Sequence, residues 1–246
     1  MSDSEEIVYG RQTVKEALLS GKAKKLYLLK GQKGTQVGEI KNLAQKNKIV
    51  CRELDSEGFS AIVQGKSLTG GVAASVNSFI YCDIDEILQD AKSRDEYSLV
   101  LVLDHIEDPH NLGALLRTAE ASGAMGVIIP AKRSVGVTPA VRKVASGAAE
   151  WIPVSRVTNI AQTIDYLKEN GYWVYGADIS GTVQYSSADW KRSVALVLGS
   201  EGKGLSALTK KKCDLLVNIP MNGKLNSLNV SVAGGILMFE HLRQKA

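Results

Sequence analysis

Residues 219–233 of the chain read IPMNGKLNSLNVSVA. An apolar run ends at Pro220, a loop rich in Gly, Asn and Ser follows, and a second apolar segment with helical spacing begins near Val230. Small polar side chains and free backbone amides therefore gather where a helix begins, and helix N-termini bind polar and anionic ligands. The stretch predicts a strand, a ligand-binding loop and a helix in succession.

Apolar runs alternate with helical patterns from Ser98 onward. The runs that we interpret as buried strands are 98–103, 126–129, 172–176, 194–198 and 215–219, and the helical patterns include 111–121 and 230–242. Buried strands that alternate with helices imply an α/β fold with a mostly parallel sheet and helices on both faces. Ligands of such sheets bind beyond the carboxyl ends of the strands. Polar loops occupy that position after Leu103, Leu198 and Ile219.

The first part of the chain has a different composition. It is rich in lysine, and Val14, Ala17 and Leu18 recur at helical spacing. We interpret it as a separate small α/β domain. The boundaries that we expect are 1–78 for this domain, 79–97 for an acidic linker with a short helix, and 98–246 for the larger domain.

The composition limits the possible classes of function. The net charge of +4 and the sequence pI near 8.8 are compatible with a nucleic-acid partner, although many ordinary enzymes share them. The 3 cysteines are isolated and lack ligand spacing, so we expect a reduced protein without a metal site. The acidic N-terminus and the absence of long apolar runs predict a soluble, cytoplasmic protein that does not enter a membrane.

The loop after Leu103 and the helix that follows it read DHIEDPHNLGALLRT, residues 104–118. Asn111 is well placed as a helix cap, because Pro109 disfavours helix for the residue before it. Arg117 falls off the apolar stripe of the predicted helix. It is therefore either a solvated side chain that pairs with Glu120 or a functional group.

The loop after Leu198 reads GSEGKG, residues 199–204. Its glycines let the backbone approach a ligand closely, but it lacks both the ending of a P-loop and the GxGxxG order of a dinucleotide site. Glu201 is either a turn acid that faces water or a functional group. Ser227 and Asn229 of the third loop are either helix caps or ligand-binding groups. Three polar loops at one sheet edge favour the ligand-binding alternative.

The remaining histidines and tryptophans give weaker signals. The histidines share no motif, so we assign them no chemistry. We expect the three tryptophans, Trp151, Trp173 and Trp190, to lie in the core and not to serve as platforms for base stacking.

These motifs resemble those of a known family. Three segments look, in order, like the three motifs of the SpoU (TrmH) class of RNA 2′-O-ribose methyltransferases: Asn111-x-Gly113 with Arg117, the loop 199–204, and 219–233. The N-terminal block, with Tyr9-Gly-Arg-Gln-Thr-Val14 and Gly71-Val-Ala-Ala74, resembles the ribosomal-protein-like substrate-binding domain of the two-domain members. The layout is most similar to members that methylate a peptidyl-transferase-loop guanosine of large-subunit (23S) ribosomal RNA.

The resemblance implies S-adenosylmethionine as methyl donor without a metal, a trefoil knot of the SPOUT type, a homodimer, and RNA bound by the domain 1–78. The residues on the family's catalytic positions are Asn111, Arg117, Glu201, Ser227 and Asn229. Those on its donor-binding positions are Gly199, Ile219, Met221 and Leu228. Lys22, Lys24, Lys25 and Lys30 are candidates for phosphate contacts, and the alternative is a solvated lysine-rich surface.

Two positions depart from the family pattern. Ser200 stands where many members have Asn, which puts a side-chain role there in doubt. Thr69-Gly70-Gly71 stands where relatives often have His-Gln-Gly, which puts one specific RNA contact in doubt.

Methyl transfer from a sulfonium to a hydroxyl is an in-line displacement, and holding the reactants in line supplies much of the acceleration. Arginine is a poor general base, because its pKa exceeds about 12. We therefore expect Arg117 to hold the neighbouring phosphate and to stabilise the developing alkoxide, while a phosphate oxygen or water takes the proton. The alternatives are a transfer-RNA substrate, a non-catalytic ribosomal-RNA-binding protein, and a nucleotide-dependent oxidoreductase, the last disfavoured by the missing dinucleotide fingerprint.

Overall fold

The structure is a computed structural model that describes residues 5–65, 69–94, 96–200, 202, 204–225 and 227–246, and of Thr69 it describes the backbone alone. Contacts divide the chain into two compact units. The first comprises the described residues up to Ile80 together with Val137–Trp151, and the second comprises Tyr81–Gly136 and Ile152–Ala246. The boundaries at 78 and 97 stay predictions.

The strands and helices follow one another along the chain, and we number each kind in that order. The strands are β1 (Glu5–Tyr9), β2 (Ala23–Leu29), β3 (Val50–Leu54), β4 (Val72–Asn77), β5 (Leu99–Asp104), β6 (Gly126–Pro130), β7 (Val154–Val157), β8 (Trp173–Ala177), β9 (Val183–Gln184), β10 (Val194–Gly199) and β11 (Leu215–Asn218). The helices are α1 (Arg11–Leu19), α2 (Thr35–Lys46), α3 (Ser56–Ile62), α4 (Ile84–Arg94), α5 (Pro109–Ala121), α6 (Pro139–Val144), α7 (Ile160–Glu169), α8 (Ala207–Lys212) and α9 (Val230–Lys245).

The first unit is a four-stranded sheet covered by helices. Its order is β1-β4-β2-β3, with β4 antiparallel to both neighbours and β2 parallel to β3. Val14, Ala17 and Leu18 of α1 are buried with Val37 and Ile40 of α2 in one apolar cluster. The helical spacing seen in the sequence therefore marks the side of α1 that packs on the sheet.

The segment 137–151 completes the first unit through a buried ion pair. Arg142 of α6 is 1% exposed, and its Nη2 atom lies 2.7 Å from the carboxylate of Glu150. The guanidinium also donates to the carbonyl of Asn77 at 3.3 Å, and Lys22 lies 3.4 Å from the second oxygen of Glu150. Buried charges are tolerated only when they are paired, so these contacts hold the segment against β4.

The second unit is built on a seven-stranded sheet in which every pair of neighbours is parallel. The order is β7-β6-β5-β10-β8-β11-β9. The parallel sheet predicted from the sequence is confirmed, and its five apolar runs are β5, β6, β8, β10 and β11. β7 and β9 were not predicted from the sequence, because β7 carries an exposed Arg156 and β9 has only two residues.

Helices cover both faces of this sheet. On one face, Ile87 and Leu88 of α4 and Ile164 of α7 share a buried cluster with Val100 and Val197. On the other face, α9 packs against α5 and β10. A Cβ atom added at Gly234 would lie 2.6 Å from Leu115 and 2.8 Å from Leu198. Residues 84–94, which the sequence placed in a linker, thus form a core helix of the second unit.

Two late strands enter the sheet between earlier ones. β10 lies between β5 and β8, and β11 lies between β8 and β9. The register pairs Asp104 with Gly199 and Gly176 with Leu216, so the carboxyl ends of these four strands meet at one edge. A reversal of strand order of this kind creates the crevice where α/β sheets bind ligands.

The tryptophan prediction was wrong for two of the three residues. Trp190 is fully buried, whereas Trp151 and Trp173 are about half exposed. Their indoles have surface partners, since Trp151 donates to Glu16 and the Arg192 guanidinium lies 4.3 Å from the Trp173 ring. In the part of the chain that the structure describes, no helix has the length and apolar character needed to cross a membrane.

Glu150→Gln should lower the free energy of unfolding of the first unit by about 3 kcal/mol, because the buried guanidinium of Arg142 loses its carboxylate at 2.7 Å and keeps only that of Glu6 at 3.6 Å. Glu53→Gln is the matched control, since Glu53 pairs with Lys41 at the solvent-exposed surface at 2.7 Å, and it should lower the free energy of unfolding far less. Urea denaturation, with hydrogen exchange of the β1 and β4 amides as the local readout, measures both. Equal effects of the two variants would contradict the assignment.

Candidate functional site

A cavity of about 620 Å³ lies at the carboxyl ends of β8, β10 and β11. Its walls come from the ends of these strands, the loops that follow them, α8 and the start of α9. The lining residues are Ala177, Asp178, Ile179, Leu198, Gly199, Ser200, Gly202, Gly204, Lys210, Val217, Ile219, Met221, Ser227, Leu228, Asn229, Val230 and Ala233. The sheet edge predicted from the sequence is thus the edge that carries the cavity.

The structure brings together most of the residues singled out in the sequence. Gly199, Ile219, Met221 and Leu228, expected at a donor site, all line the cavity, as do Ser227 and Asn229. Asn111 lies on α5 and contacts Asn229. Arg117 is exposed on α5 and is not among the lining residues that the structure describes. Glu201 lies outside the described residues, as do Lys203 and Asn226 of the same motifs.

Asn229 connects two helices. Its Oδ1 atom caps α9 by accepting hydrogen bonds from the backbone of Ser231 at 2.9 Å and of Val232 at 3.4 Å. Its Nδ2 atom donates to Oδ1 of Asn111 at 2.9 Å. The capping alternative is confirmed, and the same amide links α9 to α5. The ligand-binding alternative stays a prediction.

Asn111 is not the helix cap that the sequence suggested. Asp108 caps α5 instead, by accepting a hydrogen bond from the backbone of His110, and Pro109 occupies the first helical turn. Proline fits that position because its missing N–H would have no partner there. Asn111 is consequently inside the helix and 5% exposed, with its side chain turned toward Asn229.

The loop after β10 turns back on itself at Gly199. A Cβ atom added there would lie 2.2 Å from the backbone of Gly204, so no other residue fits without moving the loop. Gly204 donates from its backbone to Ser200 at 2.9 Å, and its φ of +62° suits glycine. The glycines thus expose backbone at the wall of the cavity.

Asp178 and Lys210 are site residues that the sequence analysis missed. The Asp178 carboxylate lies 2.7 Å from Nζ of Lys210 and accepts two hydrogen bonds from Ser180. Burial alone would raise the pKa of this carboxyl, but the bonds from Lys210 and Ser180 outweigh it and hold the pKa below its ordinary value. Asp178 directly follows an apolar strand, and that position was the available signal.

Asp104 has a supporting role beside the cavity. It is 3% exposed, accepts a hydrogen bond from Oγ1 of Thr209 at 2.9 Å and contacts the imidazole of His105. It therefore joins the end of β5 to α8.

Burial raises the pKa of the Cys213 thiol to about 12, which makes it a poor nucleophile. Among the described residues no group of His, Cys, Asp and Glu could hold a metal ion.

Comparison with known proteins gives the family. A model of the SpoU rRNA Methylase family matches residues 98–239, and a model described as RNA 2′-O ribose methyltransferase substrate binding matches residues 7–82. The chain belongs to the SpoU (TrmH) family of RNA methyltransferases. A relative from Staphylococcus saprophyticus assigned to the TrmH family of tRNA/rRNA methyltransferases is 44% identical over 242 residues, 98% of this chain and 96% of that protein.

Solved structures align with nearly the whole length of this chain. The SpoU methyltransferase AviRb from Streptomyces viridochromogenes aligns with a TM-score of 0.81 at 24% identity, covering 98% of this chain and 90% of the other, and shows the fold. An AdoMet-bound rRNA methyltransferase from Sinorhizobium meliloti aligns with a TM-score of 0.78 at 27% identity, covering 97% and 87%. The family resemblance read from the motifs is confirmed.

Asn229→Ala should lower the free energy of unfolding by about 1–2 kcal/mol, because α9 loses its cap. A double-mutant cycle with Asn111→Ala should give a coupling of about 1 kcal/mol, since the two amides are in direct contact. Asn229→Asp is the matched control: it keeps the capping oxygen and loses only the donor to Asn111. Strictly additive effects in urea denaturation would show that the link carries no free energy.

Proposed function

We propose that this protein transfers a methyl group from S-adenosylmethionine to a ribose 2′-hydroxyl of RNA, on a guanosine of large-subunit ribosomal RNA. The hydrogen bond between Asn229 and Asn111 is the observation that carries the proposal. It joins a wall of the cavity to α5, the helix that bears Arg117. The cavity, which is suited to the methyl donor, is thereby connected to Arg117, which is suited to an RNA phosphate.

The cavity suits S-adenosylmethionine in size and chemistry. Its volume of about 620 Å³ falls within the roughly 300–1,000 Å³ of small-molecule sites. Apolar side chains such as Leu198, Ile219 and Leu228 can pack on a purine, while Ser227 and exposed backbone groups provide hydrogen bonds. The Sinorhizobium meliloti neighbour with bound AdoMet supports the same donor.

When bound, the donor supplies an electrophilic methyl group, whose transfer to the ribose oxygen leaves a neutral thioether. The residues of the chain act on the other reactant. The guanidinium of Arg117, always protonated, holds the adjacent phosphate and stabilises charge that develops on the ribose oxygen. The hydroxyl proton then passes to a phosphate oxygen or to water. Asn111 and Asn229 orient the helix termini on which these contacts depend, and Glu201 remains a candidate to orient Arg117.

The first unit is the proposed RNA-binding part. Its match to a substrate-binding family model supports this role. Lys22 and Lys25 lie 3.4 and 3.8 Å from the carboxylates of Glu150 and Glu5, which partly neutralise their charge. Lys30 is exposed just after β2 and stays a candidate for a phosphate contact, as does Lys24.

We also propose the homodimer and the trefoil knot that the family resemblance implies, in a cytoplasmic protein. Val232 and Phe239 of α9, seven residues apart and hence on one face, are 51% and 47% exposed. An exposed apolar face of this kind supports burial against a second copy. The entry of β10 and β11 between earlier strands supports the knot.

Incubation of the protein with labelled S-adenosylmethionine and either ribosomal or transfer RNA tests the reaction and the substrate together. Nucleoside mass spectrometry should detect 2′-O-methylguanosine in large-subunit RNA. Methylated product in transfer RNA alone would show that transfer RNA, and not ribosomal RNA, is the substrate. Binding of S-adenosylmethionine without transfer to either RNA would favour a non-catalytic RNA-binding protein.

Arg117→Ala should reduce methyl transfer by at least about a hundredfold, the usual loss when a group that stabilises developing charge is removed. The Kd for the donor should stay within about twofold, because Arg117 does not line the cavity. Arg94→Ala, which removes a surface arginine of α4, is the control for loss of charge and should leave activity unchanged. Equal losses of donor affinity and turnover would place Arg117 at the donor instead of at the RNA.

A further inference from the structure

The Asp178 side chain is the one carboxylate, among the described residues, in the cavity wall. The side chain is 6% exposed, and the residue lines the cavity. Its Oδ1 atom accepts both hydrogen bonds from Ser180, and Oδ2 contacts Nζ of Lys210. A carboxylate offers about four acceptor sites on its two oxygens. Three contacts therefore leave acceptor capacity on Oδ2.

The environment of Oδ2 favours a hydroxyl partner over a cation. Lys210 already neutralises the carboxylate, so an ammonium group would have to compete with Lys210 for the same oxygen. A hydroxyl needs only a lone pair and can share the oxygen with the lysine. Oδ2 also lies near the glycine loop, 3.7 Å from where a Cβ atom of Gly204 would stand. The acceptor is therefore beside exposed backbone where a ligand can approach closely.

S-adenosylmethionine carries hydroxyl groups only on its ribose. Its adenine carries an amine, and its methionine part carries an ammonium and a carboxylate. We infer, on the basis of the proposed donor, that Oδ2 of Asp178 accepts a hydrogen bond from a ribose hydroxyl of S-adenosylmethionine. Asp178 is then a specificity-determining residue that selects ribonucleosides over deoxyribonucleosides. Ser180 positions its carboxylate through two hydrogen bonds, and Lys210 neutralises it.

The binding of three nucleosides tests this inference directly. Adenosine, 2′-deoxyadenosine and 3′-deoxyadenosine differ by single hydroxyls, and S-adenosylhomocysteine reports on the complete donor site. Wild-type protein should bind adenosine at least about tenfold more tightly than one of the deoxynucleosides, as expected for a hydrogen bond to a charged acceptor. In Asp178→Asn, adenosine should bind about tenfold more weakly and this preference should fall to within about twofold. Isothermal titration calorimetry measures each Kd.

Two further variants distinguish recognition of the ribose by Asp178 from a structural role of its ion pair with Lys210. Lys210→Gln removes the ion pair and keeps the carboxylate, so the preference for adenosine should persist. Asp165→Asn is the matched control, because Asp165 pairs with Lys212 but does not line the cavity, and it should leave every Kd unchanged. Circular dichroism melting curves establish that each variant is folded.

The outcomes distinguish this inference from the proposed function. Wild-type protein that binds neither S-adenosylhomocysteine nor S-adenosylmethionine would refute the donor site and the inference with it. Donor binding by the wild type, with the ribose preference intact in Asp178→Asn, would overturn the inference alone. Loss confined to S-adenosylhomocysteine would place Asp178 at the amino-acid end of the donor. If Lys210→Gln lost the preference for adenosine as completely as Asp178→Asn, the Asp178 carboxylate would have a structural role and would not contact the ribose.

Discussion

The close approach of Gly199 to Gly204 is the constraint on which the candidate site depends. β10 lies between β5 and β8 in the sheet, and its last residue must turn at once into a loop that folds back over the strand end. With 2.2 Å between an added Cβ and the Gly204 backbone, the turn leaves no room for any side chain. The cavity wall there is consequently made of backbone, whose hydrogen-bonding groups keep fixed directions.

The opposite wall is fixed by side-chain amides. Asn229 uses its oxygen for the first turn of α9 and its nitrogen for Asn111, so a movement of Asn229 away from α5 would break this hydrogen bond. An amide suits this position because, among small side chains, it offers a separate donor atom and acceptor atom on one carbon. A capping aspartate would satisfy α9 and leave Asn111 without that donor.

The apolar runs and the polar loops that follow them were the features of the sequence that predicted most of the fold and of the site. The runs that became β5, β6, β8, β10 and β11 were recognisable because apolar residues follow one another in each, without the alternation typical of a half-exposed strand. β9 was not, since two residues show no period. The cavity residues Gly199, Ile219, Met221 and Leu228 followed from motif resemblance, whereas Asp178 and Lys210 come together only through the order of strands in the sheet. The cap at Asp108 also escaped detection, because Asp108 and Asn111 are both good capping residues.

The ion pair of Arg142 and Glu150 has a consequence for how the chain can be divided. Both residues lie between Val137 and Trp151, yet their partners Lys22 and Asn77 come from the start of the chain. A fragment that begins at Tyr81 would therefore keep an arginine and a glutamate whose burial relies on residues that have been removed. For the same reason, a chimaera that borrowed its N-terminal part from a relative would need a compatible 137–151 loop from that relative. The transferable module is discontinuous in sequence, and its second piece lies inside the methyltransferase half.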